Sequence, residues 1–291
     1  MSTTETRYCY RHPDRPTGLS CSECGRPICT DCMTPAAVGL RCPEHAGGAR
    51  RPGPIGTKRP AIQVPRARGG ATTAPITKLL IAINVGVYLV TAVQGSGINN
   101  PGGSLYLKMI LFGPYVGAQN EWWRLVTAMF LHGFLLHIAF NMLALWWIGA
   151  PVEQYLGGTR YVGLYFVSGL AGSAGALLQS PTTPVVGASG AIFGILGAML
   201  ILEYQATGRL TGNAMTWIVI NLVISFLPGA NISWGGHIGG LAGGILVTLA
   251  FARFGRGHAA YGRLGLAGAT GLVLVAAASI AISYWQVRGY A

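Results

Sequence analysis

Residues 185–194 read VVGASGAIFG, one hydroxyl among side chains small enough for two membrane helices to meet along their backbones. Whether Ser189 serves packing or chemistry depends on what surrounds it. Apolar segments recur at roughly 77–94, 134–152, 161–179, 186–203, 214–227, 235–252 and 265–285. Most approach the ~20 residues that a helix needs to cross a bilayer. The fifth is short, which tilting or local thinning accommodates. Of the 291 residues 51% are hydrophobic and only 10% charged, with 44 glycines; soluble domains carry about 25% charged residues. The expectation is an all-α, multi-pass membrane protein with seven helices. Its first long apolar run begins near Ile76, so the amino terminus is expected to stay in the cytosol. Arginine placement tests this independently. Arg160, Arg209, Arg253, Arg256 and Arg263 fall in loops that the topology puts inside, while only Lys108, Arg124 and Arg288 fall outside.

In that topology the fourth segment runs from outside to inside and holds Ser189 just below its outer end. The sixth, SWGGHIGGLAGGILVTL, runs the same way and holds His237 at a similar depth. The second enters from outside with His137 and Asn141, four residues apart and on one face. Taken singly, a membrane serine back-bonds to its own helix, and an asparagine glues two helices together. An intramembrane histidine is a functional candidate by default. Four such side chains in one outer layer suit acyl chemistry. Serine becomes a nucleophile when a neighbouring histidine takes its proton, and the oxyanion then needs donors. His137 and Asn141 supply side-chain donors, and Ser189, near a helix start, adds an unpaired backbone N–H. The membrane half has only Glu121, Glu153 and Glu203 as acids. Glu153 and Glu203 fall at inner ends, so the expectation is a Ser–His dyad without an acidic third member. Glu153 is expected to cap or pair locally.

Ahead of the apolar segments stand four ligand pairs: Cys9/His12, Cys21/Cys24, Cys29/Cys32 and Cys42/His45. All six cysteines of the chain are used. In a cytosolic segment disulfides are disfavoured, and thiolate and imidazole pairs at this spacing suit tetrahedral zinc in closed, structural sites. Only four residues separate Cys24 from Cys29, a gap that a cross-brace uses best. The spacing resembles that of B-box-type zinc fingers, which bind zinc in that way. The resemblance implies one ion on Cys9, His12, Cys29 and Cys32 and a second on Cys21, Cys24, Cys42 and His45. The module's partner is not named by the sequence. Residues 46–75 form a flexible basic linker rich in Gly, Pro and Arg. Arg50, Arg51, Lys58, Arg59, Arg66, Arg68 and Lys78 precede the first span, and the linker has no aromatics to stack bases. Anionic lipid is therefore the expected partner of this stretch, not nucleic acid.

Three motifs together carry a further resemblance: WWRLVTAMFLHGFLLHIAFN at 122–141, GASG at 187–190 and GGHIGGLAGG at 235–244. In order, spacing and topology the chain resembles the rhomboid family of intramembrane serine proteases over roughly residues 76–253. The resemblance implies a six-helix core, beyond which the inner loop and the seventh transmembrane helix read from hydropathy take up 254–291. It makes Ser189 the nucleophile and His237 the base, with His137 and Asn141 at the oxyanion site. It makes His132 structural, and Trp123 and Arg124 stabilisers of the first outer loop. Catalysis in that family needs no cofactor, and its substrates are transmembrane proteins. The implied location is the plasma membrane with the active site toward the outer face. Where the family often has tyrosine one turn after the nucleophile, this chain has Phe193, which keeps ring stacking on the histidine but loses the hydroxyl. Gly187, Gly190 and Gly194, with Gly236, Gly240 and Gly244, are expected to bring the fourth and sixth helices together.

The rival reading is a catalytically silent rhomboid-like factor that binds or sorts membrane proteins, which has no need to keep all four polar residues. A metalloprotease lacks HExxH, an α/β-hydrolase would need Gly where Ala191 stands, and a transporter would place its polar groups at the midplane.

Overall fold

The structure is a computed structural model that describes residues 6–36, 39–45, 74–227, 231–252, 259 and 264–290. The chain divides into two compact units, Met1–Gln63 and Val64–Ala291. The linker read at 46–75 lies outside the described residues apart from Ala74 and Pro75. So do Arg253, Arg256, His258 and Arg263 of the inner loop.

The first unit has little with which to make a core. Strands β1 (Tyr8–Cys9) and β2 (His12–Pro16) pair antiparallel, as do β3 (Thr34–Pro35) and β4 (Leu40–Arg41). The buried cluster consists of Ile28 and five cysteines. So few apolar side chains cannot hold some 40 residues together, and modules of this size depend on metals or cross-links.

The second unit begins with α1 (Pro75–Gln94), started by a proline at its first position, where a missing N–H costs nothing. The following loop folds as α2 (Gly103–Met109), α3 (Gly113–Ala118) and α4 (Arg124–Thr127). Next come α5 (Leu135–Ala144), a π turn at Leu145–Gly149 and α6 (Ala150–Leu156), which continue as one stretch. The π turn lies just before Pro151, where a regular ladder would put the ring against a carbonyl one turn back. Gly157, at φ +77°, breaks the chain into α7 (Gly158–Gln179). There follow α8 (Ser189–Thr207), α9 (Asn213–Ser225), α10 (Trp234–Phe251) and α11 (Leu266–Val287).

Among the described residues six helical stretches are long and apolar enough to span a bilayer: α1, α5 through α6, α7, α8, α10 and α11 with its last turn. The chain is a multi-pass membrane protein. Of the seven segments read from hydropathy, the fifth falls short: α9 has 13 residues, about 20 Å of helix against a hydrocarbon core of ~30 Å.

The centre of this unit is α7, α8 and α10, and glycine sets their spacing. A Cβ on Gly240 would lie 2.7 Å from the carbonyl carbon of Gly190 and 3.0 Å from its Cα. A Cβ on Gly244 would collide with the backbone of Gly194. These contacts match the expected approach of α8 and α10. The other face of α10 does the same toward α7, where a Cβ on Gly239 would stand 3.1 Å from the Cα of Gly175. In lipid, where apolar burial drives little association, such backbone approach lets dispersion and close packing hold helices together. The window of α7 is 67% buried and that of α11 22%, so α7 is the inner wall and α11 a peripheral helix.

Candidate active site

Ser189 is the first residue of α8, and its side chain is only partly covered. Two residues earlier, Gly187 has φ +131°, a conformation that side chains rarely adopt. A Cβ there would lie 2.9 Å from His137 Nε2 and 3.6 Å from Ser189 Oγ. Gly187 was expected to serve helix packing. It lies instead before α8, where its bare Cα gives His137 and Ser189 one shared space. Gly190 does meet helices: a Cβ on it would stand 3.2 Å from the Cα of Gly172 and 3.4 Å from the carbonyl oxygen of Gly236.

His237 lies in the first turn of α10, which is capped by Ser233 Oγ accepting from Gly236 N at 3.2 Å. Gln179 at the end of α7 adds an acceptor for Gly235 N at 2.7 Å. Phe193, one turn into α8 from Ser189, stacks on the imidazole with ring centroids 4.1 Å apart and planes at 18°. His237 is therefore held against the first turn of α8. Its Nδ1 lies 2.7 Å from the hydroxyl of Ser225, the last residue of α9. Sequence reasoning missed Ser225, a serine twelve residues before His237 with no motif around it.

On α5, the Nδ1 of His137 lies 3.3 Å from the backbone N of Gly133, which donates to it. An imidazole that accepts at Nδ1 carries its proton at Nε2, so His137 presents an N–H donor to the space beside Gly187. Asn141 Nδ2 donates to the carbonyl of His137 at 2.8 Å. One amide hydrogen is thus spent on its own helix, and one is left. His132 is buried, its ring edge-on to His137 at 5.0 Å between centroids.

Arg124 is buried and organises the loop before α5. Its Nη1 donates to the carbonyls of Leu107 at 2.6 Å and Ile110 at 2.9 Å, and its Nε to Glu121 at 2.7 Å. Trp123 Nε1 donates to the carbonyl of Lys108 at 3.1 Å. The loop is tied in turn to the strand of chain before Ser189, where Leu111 and Val185 exchange backbone bonds of 3.1 and 2.9 Å. Glu153, expected to act locally, instead reaches 76–77 residues back. Its carboxylate accepts from Ile76 N at 3.0 Å, Thr77 N at 2.8 Å and Thr77 Oγ1 at 2.7 Å, capping the start of α1. Each of these donors is an orphan of the first helical turn or its side chain.

In the first unit the eight ligands gather into two groups, Cys9, His12, Cys29, Cys32 and Cys21, Cys24, Cys42, His45, with all ligand atoms of a group within 4.8 Å of one another. Zinc bonds of about 2.3 Å to sulphur and 2.0–2.1 Å to nitrogen give a tetrahedron with edges of roughly 3.5–3.8 Å. The separations observed are 3.8, 3.3 and 3.3 Å from His12 Nδ1 to Cys9, Cys29 and Cys32. In the second group they are 3.8 Å for Cys24 to Cys42 and 3.2 and 3.9 Å from His45 Nδ1 to Cys42 and Cys21. The residues fit a four-ligand ion. Burial pushes the Cys9 thiol up, but the amides of Cys29 and Arg11 and the His12 ring outweigh it and hold Cys9 at about 6. Cys21 is likewise held at about 6, against burial, by the amides of Cys42, Cys24 and Glu23. Thiolates are the form that binds metal.

Comparison with known proteins gives a consistent picture. The Rhomboid domain family model matches residues 119–254. Rhomboid protease GluP of Bacillus subtilis (strain 168) is 38% identical over 181 residues, 60% of this chain and 34% of that protein. RHOMBOID-like protein 5 of Arabidopsis thaliana is 41% identical over 139 residues, 44% of each chain. Putative rhomboid protease YdcA of Bacillus subtilis (strain 168) is 35% identical over 135 residues, 45% of this chain and 68% of that protein. The chain thus spans about a third of the first of these relatives and less than half of the second.

Proposed function

The chain belongs to the rhomboid family, and from that premise we propose that it is a serine endopeptidase that cuts transmembrane segments of other membrane proteins. The observation that carries this is the stacking of Phe193 on His237, which holds a base against the residue one helical turn after Ser189.

In this reading Ser189 Oγ attacks the scissile carbonyl as His237 Nε2 takes its proton. The C–O bond forms and the carbonyl π pair moves to oxygen. That oxyanion is met by His137 Nε2–H, the free hydrogen of Asn141 Nδ2 and the unpaired N–H of Ser189. His237 then returns the proton to the leaving amine as the C–N bond breaks. Water repeats the sequence on the acyl-enzyme, with His237 again as base. His132 packs behind His137, and Trp123 and Arg124 hold the loop beside the site.

The two Cys3His groups would each hold a structural Zn2+, which supplies closed tetrahedral cross-linking and no open position for chemistry. The module then serves a protein partner. In the same reading the protein works in the plasma membrane with a cytoplasmic amino terminus, the active site toward the outer face, and lipid headgroups on the linker.

The test is labelling of the purified protein with a fluorophosphonate or isocoumarin probe, beside cleavage of a single-span reporter in liposomes. Wild type should be labelled and cut the reporter, and Ser189→Ala should do neither while folding normally. An unlabelled, inactive wild type would favour a silent binding or sorting factor, and a Ser189→Ala protein that still cuts would remove Ser189 from the chemistry. Protease accessibility of an amino-terminal tag in intact cells checks the orientation.

A further inference from the structure

A histidine that acts as base has to present the correct nitrogen. His237 has two, and the reading above needs the lone pair at Nε2, so the ring proton must be at Nδ1. Among the described residues no carboxylate stands beside this ring to hold it there, but Ser225 does.

The Ser225 hydroxyl makes two short contacts, 2.6 Å to the carbonyl oxygen of Asn221 and 2.7 Å to His237 Nδ1. A carbonyl oxygen can only accept, so the single hydroxyl proton of Ser225 goes to Asn221. The serine oxygen then has only lone pairs for Nδ1, and Nδ1 must be the donor. The direction of the chain of bonds, His237 Nδ1–H to Ser225 Oγ–H to Asn221 O, is thereby determined. Both partners are buried, at 5% and 7% exposure, so water competes little for either bond.

Back-bonding to a carbonyl four residues earlier is ordinary for a serine in a membrane helix. The second contact, to a buried ring nitrogen of another helix, is not explained by that habit. The surroundings fix its geometry. Phe226, next to Ser225, stacks on Trp234, three residues before His237, with centroids 5.5 Å apart and planes at 29°. At the other end of α9, Ala214 N donates to the Glu203 carboxylate at 3.1 Å. The short helix is thus held at both ends, with its last residue at the base.

We infer that Ser225 is the positioning residue of the base, an uncharged acceptor that fixes His237 in the Nδ1–H tautomer and leaves Nε2 free to take a proton. This rests on the reading of Ser189 and His237 as nucleophile and base. The role is the one an aspartate fills in a serine triad, without the charge that would stabilise the imidazolium. Phe193 fixes the plane of the ring, and Ser225 fixes its rotation within that plane.

The experiment has two arms on the full-length protein in nanodiscs. The first is 15N NMR of histidine-labelled protein at a pH where His237 is neutral, the signal assigned by difference with His237→Gln. Wild type should show a protonated Nδ1 and an unprotonated Nε2; the opposite tautomer, or a mixture, overturns the inference. The second arm is kinetic. Ser225→Ala should lower kcat by about tenfold, the worth of one neutral hydrogen bond, with KM within about twofold. Ser225→Thr, which keeps the hydroxyl, should restore both kcat and the single tautomer. Wild-type kcat with an unchanged spectrum in Ser225→Ala overturns the inference. If Ser225→Ala does not fold, the wild-type spectrum decides. A wild type whose Ser189 the probe never labels overturns the protease reading instead, and the spectrum still judges the Ser225 bond because it needs no turnover.

Discussion

Gly240→Ala is the sharpest test of how the helices place the site. The added Cβ would lie 2.7 Å from the carbonyl carbon of Gly190 and 3.0 Å from its Cα. Carbon atoms rest at about 3.5–4.0 Å, so α8 and α10 must part by roughly 1 Å. The atoms nearest to it, the Gly190 carbonyl oxygen included, are all backbone, and no side chain can swing aside to absorb the clash. Gly190 is the residue after Ser189, and Gly240 lies three residues after His237. Opening this contact therefore separates the proposed nucleophile from its base and loosens the stack of Phe193 on His237. Overpacking of this kind costs about 1–3 kcal/mol of stability, and a displacement of about 1 Å costs on the order of a hundredfold in rate. Thermal unfolding in detergent and initial rates on a single-span reporter measure the two effects. Gly86→Ala in α1 is the control, because a Cβ there meets nothing within 4 Å. It should leave both unchanged. Wild-type rate and stability in Gly240→Ala would refute the reasoning that backbone contact between α8 and α10 sets the site.

Phe193→Leu should remove the ring stack and lower reporter cleavage by roughly two- to tenfold, since such pairs are worth about 0.5–1.5 kcal/mol; Phe193→Tyr should keep the wild-type rate. Glu153→Gln should lower the unfolding midpoint, because three donors at the start of α1 lose a charged acceptor and such bonds are worth about 1.5–3 kcal/mol each. An unchanged midpoint would show that α1 is held by packing alone. Chelation should release metal and melt the strands around residues 8–41 by circular dichroism, while Ser189 labelling persists; complete loss of labelling would make the module part of the catalytic machinery.

Much of this architecture was legible in local pattern. Runs of apolar residues mark spans because the bilayer imposes a length on every helix, and only α9, short in the sequence too, falls below it. The four ligand pairs could be grouped because their spacing resembles that of a B-box cross-brace, and the structure gathers the same eight residues into the same two groups. The stacking of Phe193 on His237 was expected from the rhomboid resemblance, and the structure shows it. The glycines of GGHIGGLAGG announced close packing, though not that α7 would take one face of α10 and α8 the other.

What only the tertiary structure decided are the contacts whose partners lie on different elements. Glu153 caps a helix 76–77 residues away. Gly187 serves His137 and Ser189 by its bare Cα and positive φ, not by helix packing. Ser225 reaches the buried nitrogen of His237 because α9 ends where it does. Hydropathy and motif spacing report the environment of a residue along its own helix. They carry no information on which rotation of one helix faces another, and that rotation determines which lone pair meets which proton.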